Sequence, residues 1–266
     1  MIKEIMMSDF YILYKRNVFL FLFLFIVFMS FIMLLFYSRY NIIYSDVFDY
    51  RHVNSFSFQL FSILENSLFT FNILSIILTL FLFEFEYFNF LYFYAYSEFE
   101  IFLSKVIFIF IFIIFYIIFY FLFNLLLGVI FFDVPKSIYV YFYEYPISFF
   151  QYFIYSLKYY LALIFLLFLL SSVTLFFYVN FRNKIVTFLF VLFVIIGQLF
   201  IPKYSLIIHQ INLNKLIITD FKLYLSIYFA FIVFFLFGSF LFFKKSTLFK
   251  IYNLISIFKC IVLNRK

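Results

Sequence analysis

The sequence has no tryptophan, a single cysteine, three glycines and three prolines in 266 residues. One cysteine, Cys260, excludes a disulfide or a cysteine-based zinc site within the chain and leaves lipid modification beside a membrane open. With glycine only at Gly128, Gly197 and Gly238, there is no G-x-x-x-x-G-K-[ST] cradle for nucleotide phosphates. The two histidines, His52 and His209, stand far from each other and from Cys260, so no zinc-binding spacing exists. No Ser-His-Asp or Cys-His pattern is visible, and independent enzyme chemistry is not expected. Pro135, Pro146 and Pro202 fall at the edges of apolar runs or in loops. Charge is scarce as well, at 12% against roughly 25% in a soluble domain.

What fills the chain is apolar: 69% hydrophobic residues, 30% aromatic, with a mean hydropathy of +1.19. Six runs approach the roughly 20 helical residues that cross a hydrocarbon core about 30 Å thick. They cover residues 18–37, 67–83, 106–127, 159–179, 185–201 and 223–243. Because they are continuously apolar and do not alternate with period two, they predict helices and not barrel strands. The expected fold is an all-α membrane protein, a single transmembrane domain over residues 1–266 with six transmembrane helices. No nucleic-acid binding is expected; the net charge of +7 reads as attraction to the membrane surface.

Twelve of the nineteen Lys and Arg residues fall on one side if the N-terminus is cytoplasmic, among them Lys3, Lys15, Arg16, Lys105, Arg182, Lys184 and those of the tail 244–266. By the positive-inside rule both termini are predicted to be cytoplasmic, in a cell membrane. No small-residue cleavage site follows the first run, which is therefore read as an anchor and not a signal peptide. Before it, Ile2, Ile5, Met6, Phe10 and Leu13 share a face against Lys3, Glu4, Ser8 and Lys15, predicting an amphipathic helix lying in the interface. The tail repeats the pattern with Leu248, Ile251, Ile255 and Phe258. The 55 Phe and 25 Tyr residues are read as core and lipid-facing filler and not as a ligand stripe.

Between the second and third runs, Glu84, Glu86, Glu98 and Glu100 bracket the apolar segment FNFLYFYAY. Span counting puts this stretch in the cytoplasm, where carboxylates avoid the cost of lipid burial. An amphipathic segment, acidic at both ends, suits docking against a basic partner; capping of the helix ends is the alternative.

The segment from Glu84 to Lys105 resembles the loop between the second and third spans of ABC-2 type transporter permeases. An acidic residue ends the second span, a serine (Ser97) follows the turn, and a lysine (Lys105) opens the third. Phe88 and Asn89 stand where that family has Gly-Thr, and Glu98 where it has a basic residue. The segment 169–193, with its Ser-rich end and Arg-Asn turn, is similar to the fourth and fifth spans. The resemblance implies a second permease copy and a separate ABC-type ATPase subunit that carries the ATP and Mg, this chain binding no cofactor itself. It also implies a coupling role for Glu84, Glu86, Ser97, Glu98, Glu100 and Lys105, with Tyr92, Phe93 and Tyr94 filling an apolar groove of the ATPase.

Polar residues within the runs mark the expected interior. Asn72, Ser75 and Thr79 recur at i, i+3 and i+7 on one face of the second helix, and Asn124 lies in the third. Hydrogen bonding between helices and contact with a substrate are the two readings, the former preferred. The external segments 38–66 and 202–222 are expected to form short or re-entrant elements over the exit. Two other classes compete with an exporter: a TatC-like protein translocase subunit, also of six spans, and a membrane scaffold that needs no ATPase. The exported molecule, whether peptide, lipid or drug, is not written in the sequence.

Overall fold

Apolar runs bounded by polar caps become helices in this chain, and the caps decide where each begins. The computed structural model describes residues 2–15, 17–40, 71–81, 83, 97–131, 137–138, 147–199 and 221–263. Over these it is helical apart from two short strands: α1 (Ile2–Lys15), α2 (Val18–Tyr40), α3 (Phe71–Phe81), α4 (Glu98–Phe131), β1 (Ser137–Ile138), β2 (Ile147–Ser148), α5 (Phe149–Phe181), α6 (Lys184–Leu199) and α7 (Phe221–Leu263). β1 and β2 form one antiparallel pair, Ser137 opposite Ser148.

Among the described residues three helices are long and apolar enough to cross a membrane: α4, α5 and the Phe221–Lys244 part of α7. A fourth such element arises if α1 and the start of α2, bent by 61°, are taken as one. The bend sits at Asn17, whose φ of 54° lies in the left-handed region that asparagine tolerates better than most side chains. Its N–H bonds to the Tyr14 carbonyl, closing α1, and its own carbonyl accepts from Phe21, opening α2. Of the 67–83 and 185–201 runs, the described parts apart from Phe83 are helical as α3 and α6.

Two capping boxes lengthen helices beyond their apolar runs. Ser97 accepts from the Glu100 N–H at 3.2 Å while the Glu100 carboxylate accepts from the Ser97 N–H at 3.1 Å. Ser148 and Gln151 do the same at the start of α5. Each box satisfies backbone donors that a helix start otherwise leaves open. α4 therefore begins eight residues before the predicted span and α5 ten, running through Glu98 and Lys105, which were expected in a loop. The tail is corrected in the same sense: α7 continues unbroken to Leu263. Between Phe243 and Leu263 there is neither glycine nor proline to stop it.

Ring contacts fix the relative directions. Phe19, Phe23 and Phe31 of α2 meet Phe112, Phe119 and Phe123 of α4 in the same order, so these helices run parallel. α3 opposes α4, with Phe71 on Tyr120 and Phe83, just past the helix, on Phe102. α5 opposes α4 through Phe110 with Phe168 and Phe121 with Phe153. α5 and α6 form a tight antiparallel pair across Arg182, in the left-handed region, and Asn183, whose side chain accepts from the Ile185 and Val186 N–H groups. α7 runs alongside α5, and the two share the most extensive packing among the described elements. From α2 to α7 direction thus alternates. The starts of α2, α4 and α6 and the apolar ends of α3, α5 and α7 collect at one end, hereafter the base. There Phe83, Phe102, Tyr178 and Phe243 build one aromatic core.

Candidate functional site: a buried ion pair and a polar interior

At the base, α1 lies against α4 and brings Asp9 onto Lys105. Both side chains are 2% exposed, and the lysine ammonium donates to Asp9 Oδ1. Burial pushes the Asp9 carboxyl above the ordinary carboxylate range, and the Lys105 ammonium pulls it partway back. Asp9 Oδ2 has no hydrogen-bond partner among the described residues. A buried pair of this kind gains little over an apolar substitute, but removing one partner strands the other charge at a cost of about 3–5 kcal/mol. It therefore acts as a register pin, fixing α1 on α4 at one position.

Lys105 is corrected by this geometry. It was expected at the surface, offered to a partner; it sits inside, two turns into α4, and is held by α1. The amphipathic face of α1 is corrected with it. Ile5, Asp9 and Leu13 are buried, whereas Phe10 is exposed and packs beside Phe19 at 4.9 Å. The signal for Asp9 was present, since it falls four residues after Ile5 and four before Leu13, in the middle of the apolar stripe.

The other coupling residues divide into two groups. Glu84, Glu86, Tyr92, Phe93 and Tyr94 lie outside the described residues. Ser97, Glu98 and Glu100 form the cap and first turn of α4, where carboxylates complement the positive end of the helix dipole. Hydrogen bonds from Ser97 hold the Glu100 carboxyl below its usual range. The capping alternative is thus realised for Ser97 and Glu100. Phe99, in the same turn, meets Phe240 of α7 at 5.5 Å, one turn before Lys244.

Asn72, Ser75, Thr79 and Asn124 are all buried, as the interior reading required. Three of them bond back along their own helices. Ser75 donates to the Asn72 carbonyl, Thr79 to Ser75 and Asn124 to Tyr120, each within its own helix at 2.7–3.0 Å. Such back-bonding satisfies a hydroxyl without a neighbouring helix. Asn72 Oδ1 has no partner among the described residues.

Aromatic residues are expected to pack in the core or face lipid, and the two kinds divide between these places. Nine tyrosines occur in α4, α5 and the Phe221–Lys244 part of α7, and none is more than 6% exposed. Phenylalanines of the same helices face outward freely, Phe115, Phe150 and Phe234 among them. Tyrosine is thus sorted to the interior, which gives the bundle a hydroxyl-bearing lining. Among the described residues the only charged side chains buried in the molecule are Asp9 and Lys105, so the rest of that lining is neutral. No group of three His, Cys, Asp or Glu side chains sits together among the described residues.

No family model, curated protein or solved structure matches this chain.

Proposed function

We propose that the chain is the membrane-spanning permease subunit of an ATP-driven ABC-type exporter, paired with a second permease copy and powered by a separate ATPase subunit. In this reading α2 to α7 cross the cell membrane, α1 lies in the cytoplasmic interface, and both termini are cytoplasmic. The alternation of helix directions supports six crossings. The observation that carries the proposal is the buried Asp9 and Lys105 pair. It ties an interfacial helix to the base of α4 at the place where the segment 84–96 enters that helix. A push on that segment by a partner is delivered to α4 and α1 together, because neither can slide without stranding a buried charge. Rigid-body rotation of packed helices then follows, with Asn17 as the hinge between α1 and α2.

Co-purification tests the reading. Full-length tagged protein extracted in mild detergent is expected to retain a P-loop ATPase, identified by mass spectrometry. A variant with Glu84, Glu86 and Glu98 changed to Ala, leaving the Glu100 cap intact, is expected to retain less. A folded protein that brings down no ATPase moves the account to a translocase subunit or a scaffold.

A further inference from the structure

In the half of the bundle remote from Asp9 and Lys105, the helix starts of α5 and α7 and the middle of α4 turn tyrosines toward one another. Tyr116 and Tyr120 come from α4, Tyr159 and Tyr160 from α5, and Tyr224 and Tyr228 from α7. Phe71 of α3 sets its ring edge-on against Tyr116 at 5.7 Å and Tyr120 at 4.8 Å, and Tyr120 lies 6.5 Å from Tyr160. The Tyr224 and Tyr228 rings meet tilted, 4.2 Å between centroids, with Tyr159 also a neighbour of Tyr224. Filling this region for packing alone requires only phenylalanine, which the chain has in abundance. Every tyrosine hydroxyl buried without a partner is a cost, greater still inside a bilayer. Two polar groups here have no protein partner among the described residues: Tyr116 Oη and, beside Phe71, Asn72 Oδ1.

We propose that this tyrosine cluster is a hydrated binding site within the bundle, holding water in the resting state and taking neutral ligands that offer hydroxyl or carbonyl groups. Water supplies the hydrogen bonds that Tyr116 and Asn72 lack, since it both donates and accepts and needs two to four polar partners. Anionic ligands are disfavoured because no buried cation lies in this half; the only buried lysine among the described residues is Lys105, at the base. The site does not depend on an ATPase, so it stands or falls separately from the exporter reading.

Accessibility to water provides the test, made simple by a single native cysteine. In the Cys260→Ser background, Tyr116→Cys, Tyr224→Cys and, as a dry control in α5, Leu166→Cys are made in the full chain reconstituted in liposomes. A small water-soluble methanethiosulfonate is expected to label the two tyrosine positions at least tenfold faster than Leu166→Cys. Equal rates at all three overturn the proposal. Because a cysteine variant can misfold, Tyr116→Phe is measured in parallel by thermal denaturation. A hydroxyl bonded to water gives a lower Tm when it is removed, whereas an unchanged or higher Tm marks a dry, unsatisfied hydroxyl and overturns the proposal.

Discussion

At the residue scale the account rests on one ion pair and one helix cap. Lys105→Met leaves Asp9 buried without its cation, and a loss of about 3–5 kcal/mol is expected, read as a marked fall in Tm in detergent. Changing Asp9→Asn together with Lys105→Met removes both charges and is expected to restore most of that loss, since the pair itself contributes little over an apolar contact. The cap at Ser97 and Glu100 carries a pH dependence of definite sign. Glu100 has a folded pKa below its ordinary value, so its contribution is present above that ordinary value and is lost as pH falls through the lowered one. Glu100→Gln is expected to flatten this acid limb in a comparison of Tm from pH 7 to pH 3. Asp9 was legible in principle, from its place at the centre of the Ile5 and Leu13 stripe. The sorting of tyrosine inward was not, because a sequence this rich in both aromatics assigns neither to a face until the helices are packed.

At the element scale the apolar runs located every described helix except α1, which its amphipathic pattern marked, and the caps explain where the starts of α4 and α5 fell short. Hydropathy marks what lipid or core accepts; it is blind to Ser97 and Ser148, polar residues that start α4 and α5 well before the apolar run begins. A continuous helix through Lys244 and Lys245 was missed for the related reason that charge ends a span without ending a helix. Packing between elements gives a further prediction at Gly238. A Cβ there comes within 3.1 Å of the Phe176 ring, so α7 approaches α5 closely at this point. Gly238→Leu is expected to destabilise by about 1–3 kcal/mol through overpacking, and Phe176→Ala in the same chain to relieve part of it. Thermal denaturation of the two variants and their combination measures that coupling.

At the scale of the whole molecule the structure presents two unlike halves. The base holds the ion pair, the aromatic core around Phe83 and Phe243 and the acidic first turn of α4. The remote half holds neutral hydroxyls. Such polarity suits the proposed export role, with one end to receive force and an interior that accepts a cargo without binding it through charge. The ring contacts from α2 to α7 follow the alternation of direction that a count of successive spans implies. What counting does not supply is how α1 joins the bundle, because a tertiary ion pair between residues 9 and 105 leaves no local pattern linking the two.

The most direct measurement is ATP turnover by the assembled complex in lipid nanodiscs, comparing the wild type with Lys105→Met and with the exchange Asp9→Lys plus Lys105→Asp. The account predicts that the ATPase stays bound in all three, that turnover falls several-fold in Lys105→Met, and that the exchange recovers much of it. Equal turnover in all three, with the proteins folded, would contradict the claim that force enters this protein through the pinned junction of α1 and α4.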